Sequence, residues 1–324
     1  MMINTVTGQV DTCQLGYTLM HEHIYLANHT MSKVFPDWVN HDEFIVHAVE
    51  LIQEAKSYGV KTIVDATPFQ LGRDAKVMKE VAEKAEINII AATGYHWFED
   101  LCLVDKGSEF LAERMIKDIE CGMEDTDIKA NIIKCATDKF GLDDFAKRII
   151  KAAIITQKAT GVPMLTHTCS KQGAIEQMDF FEENGLDPAK IVIGHIGDYN
   201  DVAFMQQVAD RGFYIGHDRF GVDMRHPESL SSQRRAETVA ELWQNGYGEK
   251  IVLSHDSSCF IDYWEGQHDL GNPWETAKNM PQHAKEFCLS FLSKHGIPMM
   301  KELGLTQKEF DTMLIETPQR MFEK

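Results

Sequence analysis

The strongest constraint on the fold is an alternation, along the whole chain, of short apolar, β-rich runs with longer amphipathic stretches. The eight runs occupy residues 17–24, 60–67, 87–94, 130–137, 162–168, 191–196, 213–218 and 251–256. Apolar runs separated by helical patterns indicate βα units with a parallel sheet, and eight such units are the number that closes a barrel. The sequence therefore predicts an α/β fold, the (β/α)8 TIM barrel.

The segments between the runs predict helices. Amphipathic stretches at 44–57, 145–160 and 235–245 each end close to a glycine, the residue that most often follows the last turn of a helix. No linker or low-complexity tract interrupts the pattern, so we expect residues 1–324 to form a single domain. The long connection at 259–281 is typical of a functional loop, and residues 306–322 predict a closing helix.

Charge and cysteine content exclude several classes of partner. The formal net charge is -18, from 32 Lys and Arg against 50 Asp and Glu, and it repels phosphate backbones and anionic membrane surfaces. No basic leader and no apolar segment of membrane-spanning length occurs, and the seven cysteines contain no C-x-x-C pair. We therefore expect a cytoplasmic protein with reduced thiols, acting on neither nucleic acid nor membranes.

Polar residues gather at the carboxyl ends of the predicted strands, which form the active-site face of a barrel. The first run ends in His21 and His23, and the strand period of two turns both imidazoles to one side. An H-x-H pair alone is as compatible with core or solvated histidines as with a metal site. His167, His195 and Asp256 end three further runs, and together with the pair they predict ligands for a divalent ion such as Zn²⁺.

Lys134 lies inside the apolar run at 132–136, where a bare ammonium is costly to bury. If its amine reacts with CO₂, the resulting carbamate is an anion whose two oxygens can bridge two cations. The alternative is an ion pair with Asp65 or Asp138. We therefore predict as cofactors two divalent metal ions, Zn²⁺ first with Mn, Co or Fe as substitutes, and a CO₂-derived carbamate on Lys134.

Two bridged cations suit hydrolysis, because they lower the pKa of a shared water and polarise the bond under attack. Asp256 would hold one metal and also accept the proton of the water as a general base. Asp198 could carry that proton outward, although a solvated loop carboxylate explains it equally well. Arg219 could polarise a substrate oxygen or, alternatively, form a salt bridge to Asp223 or Glu228.

At these residues the chain resembles the phosphotriesterase family of the amidohydrolase superfamily. The segments that carry the resemblance are TLMHEHI at 18–24, IIKCATD at 132–138, GVPMLTHT at 161–168, IVIGHIGD at 191–198 and LSHDSSC at 253–259. The resemblance implies a more buried metal on His21, His23 and Asp256, a more exposed one on His167 and His195, and carbamylated Lys134 between them. It also implies a homodimer.

The resemblance further implies a class of substrate. Arg219 follows the aspartate that ends the seventh run, where the lactonase-like branch of the family has arginine and the organophosphate hydrolases have histidine. Tyr95 matches a position where a lactonase-like relative can place a tyrosine beside the substrate oxygen. Cys259 and Trp264, in the last connection, are two more expected substrate contacts, although aromatic residues there can equally pack the loop.

Three functions remain open from the sequence. The leading interpretation is a hydrolase that opens a lactone or a carboxylic ester with a metal-bridging hydroxide and Asp256 as base. The second is a hydrolase of phosphoesters, organophosphates or phosphonate esters, in which Arg219 binds a phosphoryl oxygen. The third is a barrel that binds metal or a small ligand without turnover, since a fold alone guarantees no activity.

Overall fold

The computed structural model describes residues 1–263 and 282–323. An antiparallel hairpin, β1 (Met2–Thr5) and β2 (Gly8–Asp11), precedes eight parallel strands, each paired with the next along the chain. These strands are β3 (Tyr17–Glu22), β4 (Val60–Asp65), β5 (Asn88–Gly94), β6 (Ile132–Ala136), β7 (Met164–His167), β8 (Ile191–Ile193), β9 (Tyr214–His217) and β10 (Ile251–Leu253). Each predicted run contains one of them, and the (β/α)8 TIM barrel is confirmed.

The seam between β10 and β3 closes where the segment just after β10 meets the end of β3. The backbone N–H of Asp256 donates to the carbonyl of His21 at 3.0 Å, and that of His23 donates to the carbonyl of Ser257 at 2.9 Å. A parallel bridge between His23 and Ser258 continues the same contact. Closure at the carboxyl-terminal mouth therefore brings the polar ends of the first and last barrel strands together.

Helices cover the outside of the barrel. They are α1 (His29–Val34), α2 (His41–Ser57), α3 (Ala75–Ala85), α4 (Ser108–Glu120), α5 (Asp144–Thr160), α6 (Lys171–Glu183), α7 (Val202–Asp210), α8 (Ser232–Gln244), α9 (Gln282–Lys285), α10 (Ile297–Glu302), α11 (Gln307–Asp311) and α12 (Thr317–Phe322). α2 begins earlier than predicted because the side chain of Asn40 caps it, accepting from the Glu43 N–H. Gly161 ends α5 in a left-handed conformation, with φ of 73°. Within the described ranges, none of the helices combines the length and apolar character that crossing a bilayer requires.

Two apolar layers hold the barrel together. The larger lies between strands and helices, and the smaller fills the interior of the barrel. Interior side chains of the barrel strands are Met20, Val64, Ile90, Ala92, Ile132, Leu165, Val192, Tyr214 and Val252. Ile3, Leu15, Met321 and Phe322 belong to the same cluster and pack at its amino-terminal end. Burial of each large aliphatic side chain contributes about 1.5–3 kcal/mol, so this end is a packed plug and the polar site lies at the opposite mouth.

Candidate metal centre

The six side chains predicted as metal ligands, His21, His23, Lys134, His167, His195 and Asp256, form one cluster at the carboxyl-terminal mouth. The Lys134 Nζ lies 2.9 Å from His21 Nε2, and His195 Nε2 lies 2.9 Å from His167 Nδ1. Asp256 Oδ1 is 3.1 Å from His23 Nε2 and 3.4 Å from His21 Nε2. His21, His195 and Lys134 are almost completely buried, whereas Asp256 and His167 are half-buried.

Strand alternation places Lys134 but not His21. Ile132 lies in the barrel interior, so the period of two brings Lys134 to the interior as well. Leu19 packs in the outer layer, and the same rule would turn His21 outward. A register shift between Leu19 and Glu22 in the β3–β4 ladder, as a β-bulge produces, re-aims the strand so that His21 and His23 face the centre.

His195 and Asp256 reach the centre through left-handed backbone conformations. Their φ angles are 63° and 56°, values that residues other than glycine rarely adopt. Such conformations cost about 1–3 kcal/mol each and gather at functional sites. Each residue lies beyond the last residue of its strand, since β8 ends at Ile193 and β10 at Leu253. These two side chains are therefore aimed by strand-end turns.

Among the residues that the structure describes, no carboxylate forms an ion pair with Lys134. Neither acid weighed as its ion-pair partner contacts it: Asp65 accepts from the Ile24 N–H at 2.7 Å, and Asp138 accepts from the Cys169 thiol. Burial lowers the pKa of Lys134 to about 8, although nearby carboxylates oppose the shift. The neighbouring strand fits closely, because a Cβ on Gly94 (φ 132°) would lie 1.8 Å from the Lys134 carbonyl oxygen. The amine is thus held in place, and with this pKa about a tenth of it is uncharged at pH 7.

Asp218 supports two of the histidines and was not assigned a role from the sequence. Its Oδ2 lies 2.9 Å from His21 Nδ1, and its Oδ1 lies 3.0 Å from His195 Nδ1 and accepts the His195 backbone N–H. Burial raises the pKa of Asp218, but the two imidazoles outweigh it and hold the pKa well below its ordinary value. These ligand atoms lie within 4.8 Å of one another, a spacing that also suits a metal, but N–H donors already occupy both oxygens. We therefore assign Asp218 as the group that orients both rings.

The other two histidines have matching supports. His23 Nδ1 lies 2.8 Å from Thr67 Oγ1, and the Thr67 hydroxyl donates in turn to Asp65. His167 Nε2 lies 3.1 Å from Cys169 Sγ, and that thiol donates to Asp138 Oδ1 at 3.3 Å. In each chain the middle group gives its proton to the acid and accepts the imidazole N–H. The remaining nitrogen of each ring, His23 Nε2 or His167 Nδ1, therefore carries a lone pair.

These lone pairs face one another across the cluster. Asp218 fixes His195 Nε2 as an acceptor, and it lies 2.9 Å from the lone pair of His167 Nδ1. His23 Nε2 likewise faces a carboxylate oxygen of Asp256 at 3.1 Å. Acceptors this close repel unless a cation lies between them, and neutral imidazole with carboxylate is a ligand set that Zn²⁺ favours. The donor set therefore fits divalent metal ions.

Arg219 lies between two carboxylates at the rim. Its Nε is 2.8 Å from Asp256 Oδ2, and its Nη1 is 2.8 Å from Asp198 Oδ2. Asp198 Oδ1 accepts from Arg235 Nη1 at 2.7 Å, so a guanidinium engages each of its oxygens. Burial raises the pKa of Asp198, but the two arginines outweigh it and leave the pKa below its ordinary value. The salt bridges weighed for Arg219, to Asp223 or Glu228, are not the ones it forms.

Two of the predicted substrate contacts lie away from the mouth of the barrel, and a third lies outside the described residues. Tyr95 packs in the outer apolar layer, with its hydroxyl 3.4 Å from the Leu111 carbonyl oxygen of α4. The interior position of Ala92 explains this, since alternation turns Tyr95 outward. Cys259 is also buried in the outer layer. The structure thus corrects the predictions for Tyr95 and Cys259, while Trp264 lies outside the residues described.

In the segment that follows β5, the side chain of His96 faces the centre. Its ring centroid lies 5.0 Å from that of His167, and its backbone N–H donates to Gln70 Oε1 at 2.6 Å. The Nδ1 atom of His96 is buried and has no hydrogen-bond partner within residues 1–263 and 282–323. Burial, followed by the Lys134 charge, holds the pKa of His96 well below its ordinary value, so the ring is neutral. The sequence signal that could have found His96 is the strand period of two, which puts His96 on the same face as Ala92.

Comparison with known proteins agrees with this geometry. The model of the Phosphotriesterase family matches residues 1–322. The chain belongs to the phosphotriesterase family. It is a hydrolase of that family, and a phosphotriesterase homology protein of Mycobacterium tuberculosis is 35% identical to it over 334 residues, covering 99% of this chain and 98% of that protein.

Other relatives extend the comparison. An aryldialkylphosphatase of Saccharolobus solfataricus is 34% identical, with 97% of this chain and 96% of that protein covered. A phospho-furanose lactonase of Mycoplasmopsis agalactiae is 28% identical, with 98% and 90% covered. The solved structure of the phosphotriesterase from Mycobacterium tuberculosis superposes with a TM-score of 0.90 at 34% identity, covering 100% of this chain and 98% of that one.

Proposed function

We propose that this phosphotriesterase-family hydrolase opens a lactone or a carboxylic ester with the help of two divalent cations. Zn²⁺ is the first candidate for these ions. The observation that carries the proposal is that one ring nitrogen of each of four histidines points into the cluster as an acceptor. The other nitrogen of each ring is held by a hydrogen bond. His21, His23 and Asp256 would hold one ion, His167 and His195 the other, and carbamylated Lys134 would lie between. Such ions, when bound, lower the pKa of water and polarise the bond under attack.

Asp256 is the proposed proton acceptor. Its Oδ1 faces the histidines, and its Oδ2 is held by Arg219 at 2.8 Å, so the carboxylate is fixed at the edge of the cluster. A general base must lie within hydrogen-bond reach of the proton it takes, and this position satisfies that condition for water held among the ligands. Arg219 has further N–H groups and binds the substrate oxygen in the proposal.

Asp198 is better explained as the positioning residue of Arg219 than as a proton carrier. Both of its oxygens accept from guanidinium groups, and its pKa is below the ordinary value. Arg219 stands between Asp256 and Asp198 and cannot accept a proton at physiological pH, so no proton passes through it. We therefore propose that Asp256 releases its proton to solvent at the mouth.

His96 is the proposed substrate contact in place of Tyr95. A buried ring nitrogen without a partner costs free energy unless a ligand completes its hydrogen bond. A neutral imidazole beside His167 can donate to the ring or carbonyl oxygen of a lactone. Arg219, which follows the seventh barrel strand, and His96, which follows the third, then approach the substrate from opposite sides of the mouth.

A phosphoester substrate is the second candidate. The observation that favours it is the 34% identity to a protein named aryldialkylphosphatase, which exceeds the identity to the named lactonase. The planar guanidinium of Arg219 also suits phosphoryl oxygens. Arginine in place of histidine after Asp218 supports the lactone proposal instead.

A substrate panel separates these functions. Protein reconstituted with Zn²⁺ and bicarbonate would be assayed on γ- and δ-lactones, aryl carboxylic esters and dialkyl aryl phosphates. We expect the highest kcat/KM on a lactone or carboxylic ester, and D256N to lower kcat by about 1,000-fold while metal content falls less. A clear preference for the phosphates would reverse the ranking, and wild-type turnover in D256N would remove Asp256 as the base.

The role of Asp198 has its own test. D198N releases one side of Arg219, so we expect KM on the preferred substrate to rise more than kcat falls, with an unchanged pH profile. A proton carrier would instead lower kcat and shift the profile. E228Q is the matched control, since Glu228 is an exposed acid that contacts only His226 among ion pairs of the described chain.

A further inference from the structure

Two of the four histidines in the cluster are each supported by a chain of hydrogen bonds that runs through a linking side chain to an acid. The two chains differ in the chemistry of the linking side chain. His23 is followed by Thr67 and Asp65, all buried. His167 is followed by Cys169, which is exposed, and by the half-buried Asp138. We propose that Cys169 is the positioning residue of His167, and that it supports the ion on His167 and His195 less firmly than Thr67 supports the ion on His23. The inference rests on the proposed function.

The direction of each hydrogen bond gives the thiol a specific effect. The Cys169 S–H points to Asp138 Oδ1 at 3.3 Å, so its proton is not available to His167. The sulfur can then only accept from His167 Nε2, which keeps the proton on Nε2 and leaves the Nδ1 lone pair for a cation. Asp138 is thus part of the same device.

Loss of the thiol would permit a competing arrangement. With no acceptor at Nε2, His167 can carry its proton on Nδ1 and donate it to His195 Nε2, only 2.9 Å away. A direct bond between the two rings occupies both ligand atoms and excludes the ion. Cys169 therefore selects between a metal-binding pair and a self-bonded pair of imidazoles.

The thiol is also a weaker hydrogen-bonding group than the hydroxyl of Thr67, and it stands in contact with solvent. The Thr67 chain, by contrast, is sealed from water, with Asp65 and Thr67 almost completely buried. A weak hydrogen bond in contact with water holds its imidazole less firmly than a strong one in the dry interior. The ion on His167 and His195 should then be the first to leave when a chelator is added.

The test compares C169A, C169S and the matched control C121A, which removes an exposed cysteine just past α4, far from the mouth. Each protein is reconstituted with Co²⁺ and bicarbonate and titrated with a chelator, and ions per chain and the visible Co²⁺ spectrum are recorded. We expect C169A to release one of two ions at about tenfold lower chelator concentration, with a changed spectrum. C169S restores an acceptor and should stay within about threefold of wild type.

Three outcomes overturn the inference: wild-type ion retention in C169A, failure of serine to restore it, or an equal loss in C121A. Circular dichroism and the melting temperature of the metal-free proteins show whether an effect comes from unfolding, because a positioning role leaves both unchanged. If the wild type itself holds no ions with bicarbonate present, the proposed function fails too. A wild type with two ions and an unaffected C169A contradicts this inference alone.

Discussion

The two halves of the centre differ in what stands behind their histidines. On the inner side, His23 is backed by Thr67 and Asp65 in the dry interior. On the outer side, His167 is backed by the exposed Cys169 and by Asp138 at the rim. The same order of acid, linking side chain and imidazole therefore backs both histidines, and the two chains differ in their burial and in the linking atom. If the proposed centre holds two ions, these unequal supports should give the two ions unequal retention.

Glu22 strengthens the inner half further. It accepts from Ser254 Oγ at 2.8 Å, from His255 Nδ1 at 2.6 Å and from the Ser257 N–H at 3.0 Å. His255 Nε2 then accepts the Leu292 N–H at 2.8 Å, which ties the network to the helical segment before α10. These bonds hold β3 against the turn that carries Asp256. None of them reaches the strand of His167.

Asp218 is common to both halves, so its loss should have the largest effect. D218N replaces an acceptor of two imidazole N–H groups with an amide that can accept through one oxygen only. We expect both ions to be lost and kcat/KM to fall by about 100-fold or more, measured with metal analysis and the preferred substrate. D210N, at the exposed end of α7, is the control. Loss of a single ion in D218N would contradict a shared role.

T67V should affect the inner half alone. The variant keeps the shape of the side chain but removes the acceptor of His23 Nδ1–H and the donor to Asp65. Because both groups are buried, we expect about 30-fold weaker retention of one ion, more than for C169A, and a stability loss of about 1–3 kcal/mol. Chelator titration and denaturant unfolding measure the two effects. Greater loss in C169A than in T67V would reverse the comparison.

Reconstitution should depend on pH through Lys134, which belongs to neither half. Carbamylation requires the neutral amine, and burial lowers the pKa of Lys134 to about 8, so the reactive fraction grows as pH rises through that value. At fixed dissolved CO₂ we expect reconstitution about tenfold faster at pH 9 than at pH 7. An ordinary lysine, with a pKa of about 10.4, would instead gain about 100-fold between pH 7 and pH 9 and would still be rising there, whereas Lys134 should level off. K134M, which has no amine, should show no dependence on CO₂.

Much of the centre was predictable, because a strand side chain repeats its direction every second residue. Counting from interior residues such as Ile132 and Tyr214 places Lys134 and Asp218 inside. The same count from Ala92 places His96 inside and Tyr95 outside, so the prediction for Tyr95 was wrong where a family match was preferred to the pattern. Cys259 failed for a different reason, because it lies past β10 where the alternation no longer applies.

The sequence by itself determined the barrel and the identity of the six clustered residues, since periodicity and strand-end chemistry are local properties of the chain. Tertiary structure decided how they are aimed: a register shift turns His21 and His23 inward, and left-handed turns do the same for His195 and Asp256. It also decided which groups support them, because Thr67 and Asp218 reach their histidines only when distant strands become neighbours. Hydrogen bonds across the closed barrel depend on register and closure, and no local pattern encodes these.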